Sequence, residues 1–223
     1  MHNSALKKIF IDGPAGKLEA VINDPGEKRR GIALTAHPNP LFGGTLDNKV
    51  VQMLAKAFFE LDYVALRPNF RGVGASQGRY DEGNGETQDM LAVAEYAKQQ
   101  FGDLPLVLAG FSFGAFVQSR VIKRLPAERL VLIAPAVGRF DIGTVPANTL
   151  VIHGDQDEVV PLAAVLAWAK PQQLQVIVLP GAGHFFHGRL LQLKQVVLDT
   201  WPSQPHRGCT NPALQQDFLR RRY

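Results

Sequence analysis

The sequence predicts an α/β architecture: a mostly parallel twisted sheet with an antiparallel N-terminal hairpin, helices on both faces and no cap domain. Three features predict it. Six uninterrupted apolar runs, over residues 32–36, 64–66, 106–109, 130–134, 150–152 and 176–179, read as strands covered on both faces. Between them lie segments of helical period, so strand and helix alternate along the chain. Ahead of them, residues 7–12 and 18–23 alternate roughly between apolar and polar around Gly13, Pro14, Ala15 and Gly16, a hairpin signature.

Taken in order, Asp24, Pro25 and Gly26 break the chain after the hairpin, and Lys28, Arg29 and Arg30 read as a solvated turn. The first helix spans about 48–61, with Val50, Val51, Leu54, Phe58 and Leu61 on one face. A second spans 87–101, where Leu91, Ala94 and Ala97 fall together; 115–125, 162–169 and 185–200 complete the set. The link over 137–148 is too short to hold a separate cap of helices. In a sheet of this kind, reactive groups collect at the carboxyl ends of the strands.

One strand end stands out. The run 106–109 stops at Gly110, Phe111, Ser112, Phe113 and Gly114, and a helical segment follows. This is G-x-S-x-G between a strand and a helix, with glycine wherever a side chain would collide with the neighbouring strand or helix. A serine hydroxyl so displayed becomes a nucleophile only with a base beside it and an acid to orient that base. Both are found after later strands. Residues 153–161 supply His153, Asp155, Asp157 and Glu158, and residues 180–184 end in His184. Serine, acid and histidine therefore follow in the chain order this architecture requires, each on a loop after a strand.

On these motifs the chain resembles small lidless α/β-hydrolases of the dienelactone-hydrolase-like or carboxylesterase-like kind, over about residues 5–200. The resemblance implies that Ser112 is the nucleophile, His184 the general base and acid, and Asp157 the orienting carboxylate. Asp157 fits the family's H-G-x-x-D pattern; Asp155 is expected to shape the turn and Glu158 is the weakest of the three acids. His187 competes with His184 but is expected inside the last helix, and His153 is expected to be structural. A metal reading of His153, Asp155 and Asp157 lacks a second ligand pair of recognised spacing. The backbone N–H of Phe113 is one expected oxyanion donor. The other is expected from the loop after residues 32–36, where Pro38 and Pro40 carry no N–H, leaving Asn39. Residues 69–78 resemble the family's R-G-x-G-x-S loop, and Arg71 is expected to pair with Glu86 or Asp89. Phe42 and Phe185 flank the donor and the base and are candidates for the substrate pocket, in an open, shallow site suited to small or exposed esters.

Composition sets the outer bounds. Charged residues make up 20% and apolar ones 46%, a globular balance, and no apolar run approaches the ~18 residues of a membrane helix. The N-terminus lacks the apolar core of a secretory signal, so the expectation is a cytoplasmic protein without a membrane partner. Cys209 is the single cysteine, and neither a metal nor a cofactor is expected. The net charge of +4 misleads: Arg207, Arg220, Arg221 and Arg222 against Asp217 put +3 of it after residue 206, so no nucleic-acid footprint lies on the body. Residues 1–201 are expected to form one α/β-hydrolase domain and 202–223 a basic tail, which reads as a frayed, solvated end or, alternatively, as a short helix at 212–223. The expected activity is cleavage of a small-molecule carboxylic ester through an acyl-enzyme, by a monomer or homodimer. A thioesterase or small-peptide hydrolase would use the same residues, and a non-catalytic binding protein would have no reason to keep all three.

Overall fold

A computed structural model describes residues 6–201 of the chain. The strands are β1 (Lys7–Gly13), β2 (Gly16–Asn23), β3 (Gly31–Ala36), β4 (Tyr63–Pro68), β5 (Leu106–Phe111), β6 (Arg129–Ile133), β7 (Leu150–Gly154) and β8 (Val176–Leu179). Helix α1 (Lys49–Glu60) follows β3, α2 (Asn84–Phe101) follows β4, α3 (Phe113–Val121) follows β5, α4 (Leu162–Ala169) follows β7 and α5 (Leu190–Asp199) follows β8. The eight strands form one sheet in the order β1-β2-β4-β3-β5-β6-β7-β8. The hairpin β1/β2 and the β2/β4 pairing are antiparallel, and all the others are parallel.

Alternation along each parallel strand explains the uninterrupted apolar runs. Leu34, Leu66, Leu108 and Leu132 pack on one face with Met90 and Val93 of α2 and Val117 and Val121 of α3. Their neighbours Ala33, Ala65, Val107 and Val131 pack on the other face with Val51, Leu54 and Phe58 of α1 and Leu193 and Val197 of α5. Both faces are covered by helices, so apolar residues predominate along these strands. No helix among the described residues is long and apolar enough to cross a membrane. The tail 202–223, read as frayed or helical, lies outside the described residues, and Cys209 with it.

Two expectations are corrected. The last helix begins at Leu190, not at 185, so His187 lies in the preceding turn, exposed and stacked on Phe185. Phe186 has φ 52° and Gly188 φ 72°, a left-handed backbone that no α-helix accommodates. Phe186 takes that conformation while fully buried among the α1 and α5 side chains. Asp155, expected to shape its own turn, instead reaches across to the next loop, where it accepts the Gly181 N–H at 2.6 Å.

Arg71 resolves its two candidate partners. Its guanidinium donates to both oxygens of Asp89, at 2.9 and 2.7 Å, while Glu86 is occupied in accepting the Asp81 and Gly83 N–H groups at the start of α2. A Cβ on Gly85 would fall 2.1 Å from the guanidinium, so a glycine makes room for it. Arg71→Glu is expected to cost about 3 kcal/mol by leaving Asp89 facing a like charge in a buried setting. Adding Asp89→Arg should restore part of the lost thermal stability; no recovery in a melting experiment would reject the pairing.

Candidate active site

Ser112 is the single residue between the end of β5 and the start of α3. Its backbone, at φ 56° and ψ −113°, occupies a region that side chains rarely adopt, costing on the order of 1–3 kcal/mol. The surroundings hold it there. Its N–H donates to the Ile133 carbonyl on β6 at 3.0 Å, and its carbonyl accepts the Ala115 N–H at 3.0 Å. The flanking glycines are required by contact: a Cβ on Gly110 would lie 2.3 Å from the Gly114 backbone, and one on Gly114 would lie 2.2 Å from the Ala36 carbonyl oxygen.

The loops after β7 and β8 bring the other two groups to this turn. His184 Nε2 lies 3.0 Å from Ser112 Oγ, and His184 Nδ1 lies 2.7 Å from Asp157 Oδ2. An ionised carboxylate only accepts, so Nδ1 carries the proton and the lone pair of Nε2 faces the serine hydroxyl. The other carboxylate oxygen, Oδ1, accepts the Val159 and Val160 N–H groups at 2.8 and 2.7 Å. Burial alone would push the Asp157 carboxyl up. The His184 bond, the Val160 N–H, the charge of His184 and the Val159 N–H outweigh it and hold the group below its ordinary value. The two loops are locked together where a Cβ on Gly154 would meet the Ala182 carbonyl at 2.1 Å. Glu158 is exposed and reaches only the His184 backbone N–H, at 3.3 Å. The rings of Phe111 and Phe185 flank the imidazole, each with its centroid 5.1 Å away.

Of the two expected oxyanion donors, Phe113 directly follows Ser112 in the chain. Phe113 opens α3, so its N–H has no intrahelical acceptor, while its side chain is buried in an aromatic cluster with Phe70, Tyr80 and Phe140. Asn39 caps a 3-10 turn, Pro40–Phe42, by accepting the Leu41 N–H on its side chain at 2.9 Å. Sequence reasoning missed what aims this residue. His37 is fully buried, and its Nε2 accepts the Phe70 N–H at 3.0 Å, which puts the ring proton on Nδ1. Nδ1 then donates to the Pro38 carbonyl at 2.7 Å. That carbonyl shares a peptide plane with the Asn39 N–H, which must point the opposite way. Desolvation, opposed by the Pro38 bond, lowers the His37 pKa to about 4, so the ring is neutral at physiological pH. Tyr80 was missed too: the Asn39 side chain acts on its hydroxyl, partly offsetting the upward push of burial. No spacing in the sequence links 80 to 39.

Phe42 is 83% exposed and Phe185 41% exposed, both larger surfaces than apolar side chains normally leave open. Gly43 and Phe185 line a common cavity of about 330 Å³ beside the site, with Lys49 and His187 on its rim. A larger cavity of about 680 Å³, lined by Ile32, Leu104, Leu106 and Leu125, opens at the amino ends of β3 and β5, away from Ser112.

Known proteins share this arrangement of the chain. An α/β serine hydrolase homologue from Coxiella burnetii is 39% identical, with a TM-score of 0.82 over 91% of this chain and 99% of its own. XC6422 from Xanthomonas campestris, described as an α/β serine hydrolase without lid, is 38% identical, with a TM-score of 0.83 over 89% of this chain and 94% of its own. The chain belongs to the α/β-hydrolase family. Within it, this is a small lidless serine hydrolase. The family model described as serine aminopeptidase, S33, matches residues 43–145, which hold the Ser112 turn but neither Asp157 nor His184. The uncharacterized protein RP471 of Rickettsia prowazekii is 30% identical over 209 residues, 87% of this chain and 88% of that protein.

Proposed function

We propose that this α/β hydrolase is an esterase in which Ser112, His184 and Asp157 act as a catalytic triad through an acyl-enzyme. The reading rests on the continuous hydrogen-bonded line from Ser112 Oγ through His184 to Asp157, at 3.0 and 2.7 Å. Ser112 Oγ attacks the ester carbonyl carbon as His184 Nε2 takes its proton. Asp157 keeps the imidazole in the required tautomer and stabilises its charge. The oxygen that turns anionic is met by the N–H groups of Phe113 and Asn39, and the proton on Nε2 passes to the departing alkoxide. Water then enters: its oxygen attacks the acyl carbon as His184 takes its proton. His184 returns that proton to Ser112 Oγ as the bond to the acyl carbon breaks and the acid leaves. No cofactor is required. The open apolar faces of Phe42 and Phe185 favour an uncharged acyl or alkoxy group of modest size.

A second reading, an aminopeptidase with the same residues, is favoured by the family model over residues 43–145. A fluorophosphonate probe, followed by peptide mapping, is expected to label Ser112 in the folded protein and to fail with Ser112→Ala. Turnover of p-nitrophenyl esters of increasing acyl length, set against aminoacyl p-nitroanilides, separates the two readings. A folded protein that takes no label would reject both.

A further inference from the structure

We infer that His153, on β7, is a positioning residue that holds the second oxygen of Asp157; the inference rests on the triad reading above. Its Nε2 lies 2.9 Å from the Val160 carbonyl and 3.4 Å from Asp157 Oδ2. Both neighbours only accept, so Nε2 carries the proton; it donates to the Val160 carbonyl and faces Oδ2 at longer range. Nδ1 is then a bare lone pair, buried and without a hydrogen-bond partner among the described residues.

That orphan is the telling feature. An unpaired buried acceptor is destabilising, and by strand alternation His153 shares the face of Val151, which packs with Val160 and Val165 in an apolar cluster. A valine or leucine would fill that space without an orphan nitrogen, leaving the Val160 carbonyl unpaired instead. What no aliphatic residue supplies is an N–H that holds the Val160 carbonyl and lies within electrostatic reach of the carboxylate. Oδ1 is fixed by two backbone amides, whereas among the described residues Oδ2 is bonded by His184 and otherwise approached by the His153 Nε2 at 3.4 Å. His153 therefore limits rotation of the carboxylate about the line to His184 and draws off part of its charge. Among the described residues the titratable groups acting on His153 are Asp157 and, beyond it, His184, while β8 places Val178 beside it in register. Burial, partly opposed by the Val160 bond and Asp157, lowers its pKa and keeps it neutral alongside the imidazolium that forms in turnover.

His153→Leu should lower kcat roughly tenfold with KM unchanged, because the base is less well held. It should also move the acid limb of the kcat/KM profile to higher pH by roughly half a unit, since the carboxylate charge is then concentrated on His184. His153→Gln places an amide N–H near the position of Nε2 and should recover both. A His153→Leu variant with the wild-type rate and profile would overturn the inference. So would loss in both variants that tracks the folded fraction while the acid limb stays put. Should neither variant fold, ¹⁵N spectra of the histidine rings in the unmodified protein still decide: the inference requires the Nε2–H tautomer for His153, and the Nδ1–H tautomer would sink it. If fluorophosphonate labels Ser112 while the histidine results fail, this inference falls and the esterase reading stands.

Discussion

Asp157→Asn is expected to lower kcat by about 10⁴-fold while KM and the melting temperature stay close to wild type. The amide retains an oxygen for the Val159 and Val160 N–H groups, so the loop keeps its turn. Its NH₂ group, however, faces His184 Nδ1 across 2.7 Å and can only donate. The imidazole must then carry its proton on Nε2, which presents a donor to Ser112 Oγ in place of the lone pair that would accept its proton. The neighbouring acids serve as internal controls. Asp155 is bonded to the Gly181 N–H and Glu158 to the His184 backbone, so Asp155→Asn and Glu158→Gln should each change kcat less than tenfold. A Glu158→Gln collapse with Asp157→Asn nearly intact would move the acid role to Glu158.

His37→Leu is expected to damage stability and rate together. It leaves the Phe70 N–H and the Pro38 carbonyl buried without partners, about 1–3 kcal/mol each. It also frees the Pro38–Asn39 peptide plane, so kcat should fall about 10²-fold, the scale of a lost oxyanion donor. The pH dependence carries a second signature. The ring titrates near 6.5 when unfolded and near 4 when folded, so between those values the unfolded chain binds the extra proton. Stability contributed by His37 is thus complete above about pH 6.5 and falls as the solution is acidified toward pH 4, by about 3 kcal/mol in all. Burial of neutral His153 acts in the same direction. Chemical denaturation at pH 7 and pH 4.5 measures this, and His37→Leu should flatten the slope. An unchanged slope would mean that His37 is not the group responsible.

What was legible in the sequence, and what was not, follows from the range of the interactions. The parallel strands announced themselves because burial on both faces writes an unbroken apolar run, and the Ser112 turn because only glycine fits at 110 and 114. The order of serine, acid and histidine was readable because each belongs to a strand end. Helix α5 was placed too early because the periodicity of 185–200 is continuous, whereas the left-handed turn at Phe186 is imposed by burying its ring. The aim of Asn39 was hidden for a similar reason. It depends on a ring bond between His37 and Phe70, 33 residues apart, that no local pattern records. Arg71 advertised a carboxylate partner, but choosing Asp89 over Glu86 required knowing that Glu86 was committed to the start of α2.

The base we propose for this site, His184, hangs from the margin of the sheet. β8 has four residues, is the outermost strand and is paired only with β7. Ser112, by contrast, rises from β5, which is flanked by β3 and β6 near the middle of the sheet. Regions with few partners open at a lower free energy than the whole molecule. On warming, β8 and its loop would detach while the central strands remain paired, taking His184 away from a nucleophile still in place. Heat would silence this hydrolase reversibly before melting it, and catalytic competence would be the last property regained on refolding.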